Sequence, residues 1–195
     1  GNSTINGDIE VSRSATNTNS VGLTLESGTI KGELKIDGSI TLGENTTITK
    51  SETFEVAAPA GYKWDNGTLT KTAYVAEING TGYETLAEAV NAANNGDTVT
   101  LLADTTEDVV ISKDITLDLG GKTLTNTNSG KATISVTGGT VTVKNGNVVG
   151  GTSYYNIEVT KGSNANLTLE DVVATAGNTG SSMIDNYGTL TITSG

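Results

Sequence analysis

Three carboxylates crowd together in "LADTTEDVV", namely Asp104, Glu107 and Asp108, and hard oxygen ligands of this sort can hold calcium. Their spacing follows no loop pattern of the EF-hand kind, so a solvated turn is the simpler reading. A second pair, Asp118 and Glu170, sits at matching places in two similar phrases, "ITLDLGGKTL" and "LTLEDVVATA". An inverting glycosidase needs two carboxyl groups about 6.5–9.5 Å apart, and two strand spacings give about 9.6 Å. Lys144 falls between them in the same pattern. A cation there favours both ionised forms, whereas a general acid needs a raised pKa. A ladder of alternating surface charge is the better account. The chain has no His and no Cys, which removes the commonest general base, the thiol nucleophile and Ser triads. No cofactor is expected.

Aromatic rings are the remaining chemical lead. Tyr62 and Trp64 lie in "AGYKWDNG", and Tyr154 and Tyr155 in the polar turn "GGTSYYNIE". Adjacent exposed tyrosines can stack on a glycan while Asn156 supplies hydrogen bonds. Trp64 equally suits packing of a hairpin, since indole rings are mostly buried. Five matches to the glycosylation sequon are taken as chance in so Asn- and Thr-rich a chain.

The elements that must carry these residues follow from composition and period. Of 195 residues only 34% are apolar, while Gly numbers 25 and Pro and Phe one each. That suits short strands with many tight turns and a narrow core. The phrases "ITLDLGGKTL" at 115, "VTVKNGNVVG" at 141, "LTLEDVVATA" at 167 and "LTIT" at 190 recur in steps of 26, 26 and 23 residues. A period in the twenties means a solenoid. A second series, "ISV" at 134, "IEV" at 157 and "MID" at 183, gives about three short strands per coil. Alternation then points Leu117, Val141, Val143, Leu167, Leu169, Leu190 and Ile192 inward and Thr116, Thr142, Thr168 and Thr191 outward. Asp118, Lys144 and Glu170 would stand one step further along the outer face.

The N-terminal part carries similar phrases at shorter spacing, "LTLESGTIKG" at 23, "ELKID" at 33 and "SITLGENTTIT" at 39. Between the two series, Asp65-Asn66-Gly67 reads as a hairpin turn. In "YETLAEAVNAANNG" the spacing of Leu86, Ala89, Val90 and Ala93 predicts a helix over about 84–94 that ends at Asn95-Gly96. Such a helix at the start of a solenoid would cover the first coil's open edge and core. The division expected is 1–56, terminal coils; 57–82, hairpin and linker; and 83–195, capping helix and following coils.

Residues 76–125, "AEINGTGYETLAEAVNAANNGDTVTLLADTTEDVVISKDITLDLGGKTLT", resemble the start of a right-handed parallel β-helix module of the pectate-lyase-like class, found in tandem in large surface proteins and adhesins of Gram-positive bacteria. "APAGYKWDNGTLT" is similar to the closing hairpin of such a module. The resemblance implies an all-β, right-handed parallel β-helix in an extracellular or cell-surface, non-enzymatic setting, with a host or bacterial glycan or surface protein as partner. Lyases of that class need clustered Asp for calcium and a basic residue. The one Arg, Arg13, stands away from any acidic cluster, so that motif does not carry over.

A net charge of −11 argues against a phosphate-binding surface and hence against nucleic acid. No stretch approaches the ~18–20 continuous apolar residues of a membrane span. The two ends also look alike: "GTLTITSG" followed by "NSTINGDIEV" parallels "LTLESGTIKG". Two expectations fit that likeness. The chain is one period cut from a longer array, or the coils of neighbouring molecules stack head to tail.

Overall fold

A computed structural model describes residues 3–12, 21–26, 28–36, 42, 46–59, 61–126, 128–151, 154–176 and 182–194. The chain is all-β with one helix and forms a parallel β-solenoid of about seven turns. It divides into two compact units, Gly1–Thr72 and Ala73–Gly195. Arg13 and residues 39–41 and 43–45 of the phrase "SITLGENTTIT" lie outside the described residues.

In the first unit β1 (Ser3–Ile5), β2 (Ile9–Val11) and β3 (Val21–Leu25) make one coil, and β4 (Gly28–Ile30), β5 (Leu34–Ile36) and β6 (Thr46–Lys50) the next. Each strand pairs in parallel with the one 25 residues on: Ser3↔Gly28, Ile9↔Leu34, Val21↔Thr46. β7 (Phe54–Glu55) continues the first column on β4. β8 (Tyr62–Asp65) and β9 (Thr68–Lys71) form the hairpin foreseen at Asp65-Asn66-Gly67. Its turn residues Asn66 and Gly67 have φ of 46° and 79°, as a two-residue turn requires. A Cβ on Gly67 would also stand 2.5 Å from the Lys50 carbonyl oxygen. The hairpin was expected within a linker segment. β9 pairs antiparallel with β6 at Thr49↔Thr68 and β8 forms the edge, so the hairpin extends that sheet within the first unit.

The second unit opens with β10 (Ala76–Ile78), β11 (Thr81–Tyr83) and α1 (Leu86–Ala92). Its coils follow in three columns. The first holds β12 (Thr98–Leu101) and, after β13 (Thr105–Thr106) and β14 (Val109–Ile111) have turned the corner, β15 (Thr116–Asp118). The second coil finishes with β16 (Thr123–Thr125) and β17 (Ile134–Val136). Two long strands, β18 (Thr140–Val149) and β20 (Asn166–Thr175), each run through the first two columns, with β19 (Ile157–Val159) and β21 (Ile184–Asn186) in the third. β22 (Thr189–Ser194) ends the first column. The bend within the long strands falls at Asn145 and Asp171, both left-handed with φ of 57° and 52°. The equivalent place one coil earlier is a glycine pair, Gly120 and Gly121. Asn and Asp tolerate this conformation better than other side chains do.

The period-two reading of the core holds for five of its seven inward positions: Leu117, Val141, Val143, Leu167 and Leu169 are 5% exposed or less. Leu190 is partly buried, and Ile192 is 63% exposed. The correction at Ile192 has a simple cause. It keeps register with Leu169 but lies on the last described rung, where no further coil covers it. Thr116, Thr142, Thr168 and Thr191 form the expected outer row, which Thr98 extends by one rung.

The helix begins at Thr85, whose hydroxyl accepts from Glu88 N while the Glu88 carboxylate accepts from Thr85 N, a capping box. Leu86, Ala89 and Val90 are buried in the core cluster with Val99, Val109 and Ile111. At its other end Lys113 Nζ donates to the carbonyls of Asn91 at 2.6 Å and Ala93 at 2.8 Å, which suits the negative end of a helix. The lid has a second part. β10 pairs antiparallel with β12 and covers its edge, so helix and hairpin together close the start of this unit. Among the described residues no helix is long and apolar enough to cross a membrane.

Candidate functional site

The turn between β18 and β19 carries Tyr154 and Tyr155, both half-buried. Their ring centroids are 4.8 Å apart at an interplanar angle of 63°. An edge-to-face pair is a favoured aromatic geometry, and it offers one ring face and one ring edge rather than a flat double platform. The β19–β21 pairing sets Glu158 beside Asp185 on the outer face next to this turn. The negative charge of Asp185, foremost, holds the Tyr155 hydroxyl above its ordinary pKa, with lesser contributions from burial, Tyr187, Tyr154 and Glu158. Tyr187, directly after β21, is 55% exposed, and Met183, directly before it, is 38% exposed. Two half-buried rings, one exposed ring, one thioether and two carboxylates thus share one side of the last coils. Sequence reasoning missed Tyr187. Its signal was present in the place of "YG" at the end of the third-column phrase, but only the coil pairing brings it near Tyr155.

Asn156 is buried rather than presented on the turn. It is 1% exposed, and its side-chain amide donates to the carbonyls of Val148 at 3.3 Å and Thr175 at 2.6 Å. The polar atoms of a buried amide must find partners. Here those partners are two successive coils, which Asn156 ties together. The glycan contact expected of it is therefore corrected to a structural one.

Tyr62 and Trp64 belong to the other unit. Strand alternation in β8 leaves both half-buried on one face, with Lys63 and Asp65 exposed on the other. Tyr62 packs against the core cluster formed by Val11, Leu34, Ile48 and Leu69. Trp64 donates its indole N–H to the Val56 carbonyl at 3.2 Å, and Lys50 Nζ stands 5.6 Å from its ring centroid. A shallow concavity of about 480 Å³, lined by Lys50, Ser51, Glu52, Trp64, Asn66 and Gly67, opens beside the ring. The indole thus closes the hairpin on the coils, and one edge of it remains at a surface hollow.

The carboxylates of "LADTTEDVV" are each engaged elsewhere. Asp104 accepts from Thr123 N at 2.8 Å. Glu107 accepts from Leu86 N at 3.1 Å and Ala87 N at 3.2 Å, satisfying two of the donors that a helix start leaves free. Asp108 pairs with Lys131 at 3.1 Å and takes a hydrogen bond from Asn128. Among the described residues no three metal-ligating side chains converge.

Asp118, Lys144 and Glu170 do lie in register on adjacent strands. Lys144 reaches Asp118 at 3.5 Å, and among the described residues the ion pair forms on that side only. Burial alone would raise the Asp118 pKa. The Gly120 N–H at 2.9 Å, the Asn145 amide and Lys144 outweigh it and hold the carboxyl below its ordinary value. That direction is opposite to what a general acid requires.

Compared with known proteins, the chain matches no family model, no curated protein and no solved structure.

Proposed function

We propose that the chain is an extracellular structural and adhesive module of a bacterial surface protein, a non-enzymatic β-solenoid of the right-handed, pectate-lyase-like kind. The observation that supports this reading is the division of labour in the second unit. An aliphatic column, Ile78, Val99, Leu117, Val143 and Leu169, runs through successive strands at 7% exposure or less, while turns between strands carry polar and aromatic residues such as Tyr154 and Tyr155. A rigid scaffold with free turns suits presentation of a surface to a partner. Beads coated with residues 1–195 should adhere to host or bacterial cells above beads coated with an unrelated acidic protein. Adherence no greater than the control would sink the adhesive role.

A second reading, a carbohydrate-binding module, is favoured by the tyrosines around Tyr155. Rings with an exposed face stack on sugar C–H surfaces, and Glu158 and Asp185 would accept from sugar hydroxyls. On a glycan array, hits retained by the parent chain and lost in Tyr155→Ala and Tyr187→Ala support it. Hits that persist in both variants remove these tyrosines from the site, and no hits at all rule the reading out. A polysaccharide-degrading activity is a third reading, which reducing-end release from acidic polysaccharides would reveal.

A further inference from the structure

In the first unit two of the three columns reach a third rung and the middle one does not. β7 continues β4 in the first column, and β9 continues β6 in the third. β2 and β5 remain a two-stranded sheet. Gly28↔Phe54 sets a step of 26 residues, so a continued coil would lay residues 60–62 on Leu34–Ile36. The sequence diverts the chain just before that point. Pro59 lacks the N–H that a ladder needs, Tyr62 N donates back to the Pro59 carbonyl at 3.0 Å, and Gly61 has a φ of 80°. Tyr62 thus enters the β8–β9 hairpin, and among the described residues no strand takes the third place on β5.

A hollow of about 470 Å³ lies at that place, between residues 32–36 on one side and 57–59 on the other. Buried Leu34 and exposed Lys35 both line it. Successive side chains of a strand point to opposite faces, so a hollow bordered by both runs along the edge of β5 and not over a face. Ile9 N donates to the Glu33 carbonyl at 2.9 Å, with Ile9↔Leu34 and Val11↔Ile36 in register. In a parallel ladder this turns the N–H and C=O of Lys35 toward β2 and those of Leu34 and Ile36 away from it, into the hollow. Among the described residues no backbone group bonds to Leu34 or Ile36 there.

We propose that this slot takes an extended peptide segment of a partner protein, which adds a third strand to β5 and carries a Lys or Arg where it meets Glu33. The inference depends neither on a glycan site nor on adhesion to cells.

Strand addition draws affinity from main-chain hydrogen bonds and selectivity from alternate side chains. Leu34 is 3% exposed, and Ile36 packs against the same core cluster. Peptide residues opposite these two therefore face the core and should be apolar. The residue between them stands outside, next to Lys35. An edge lysine normally discourages pairing. Lys35 Nζ, however, is drawn to Asp8 of the preceding coil at 2.5 Å and stays 3.9 Å from Glu33, whose side chain is 78% exposed. Three carboxylates, Asp8, Glu33 and Glu10, act on this one cation, so the outer side of β5 is negative in balance. A cationic residue beside Glu33 complements it.

Titration of isotope-labelled residues 1–195 with two peptides, acetyl-Gly-Lys-Val-Thr-Val-Gly-amide and its reversed order acetyl-Gly-Val-Thr-Val-Lys-Gly-amide, tests this by amide NMR. The two orders serve parallel and antiparallel addition. At least one of them should shift the Leu34 and Ile36 amide signals saturably and slow their exchange with water. The same peptide with Glu in place of Lys should bind more weakly. Ile36→Pro removes a donor that faces the slot and no bond to β2, and should weaken binding about tenfold. Glu33→Lys should weaken it about three- to tenfold. No saturable shift with either peptide, equal binding of the Glu analogue, or unchanged affinity in Ile36→Pro with the parent's far-ultraviolet CD spectrum would each overturn the proposal. If Ile36→Pro does not fold, Glu33→Lys decides, and undiminished affinity in that variant overturns it.

Discussion

Ile192 lies directly beyond Leu169 in the same inward column, yet it is 63% exposed where Leu169 is 5% exposed. Position in the stack, rather than side-chain type, thus sets what a residue contributes. Leu117→Ala, in the covered part of the column, should destabilise the second unit by about 2–5 kcal/mol. Ile192→Ala should change it by no more than about 0.5 kcal/mol. Urea titration of dilute protein measures both, and equal effects would contradict the covered-column account.

Asn156 separates scaffold from site within one turn. Asn156→Ala removes the side-chain donor shared by the Val148 and Thr175 carbonyls, the latter keeping the Gly150 N–H at 2.9 Å, and should cost about 0.5–1.5 kcal/mol. Any glycan binding per folded molecule should be unchanged. A stable variant that has lost binding would return Asn156 to the ligand.

Glu107 holds the lid. Its carboxylate accepts from two amides at the start of α1, so Glu107→Ala should lower the second unit's stability by about 0.5–2 kcal/mol. Added calcium should leave the melting temperature of the parent unchanged. A calcium-dependent rise that Glu107→Ala abolishes would mean that the carboxylates gather around a metal after all.

Asp118 makes the second unit acid-sensitive. Its folded-state pKa is lowered, so its stabilisation is complete above the ordinary value of 3.8 and is lost as pH falls through the lower folded value. Asp118→Asn should be less stable than the parent near neutrality, and the gap should narrow below pH 3.8. A gap independent of pH would show that the carboxylate charge is not what matters.

Tyr155 reports on its acidic neighbours. Its hydroxyl is raised above 10.0, chiefly by Asp185. Ultraviolet titration of the phenolate should show Asp185→Asn moving Tyr155 back towards that value, with Tyr155→Phe identifying its share of the signal. No movement would separate Asp185 from the ring.

By itself the sequence determined the coils. Strand alternation and a recurring phrase set which faces of residues 115–170 are buried and which neighbours meet, because parallel stacking at a fixed period leaves one register that hides every aliphatic side chain. The helix was legible too, through its apolar spacing and the Asn-Gly stop. Tertiary structure alone decided the rest. Glu107 looked like part of an acidic cluster until the fold set a helix start 20 residues away in sequence against it. Asn156 looked like a surface amide until two coils closed around it, and Tyr187 was one more tyrosine until β21 paired with β19. Local pattern encodes which way a side chain points from its own strand, whereas partners from other coils depend on turn lengths and lids that no short-range periodicity carries.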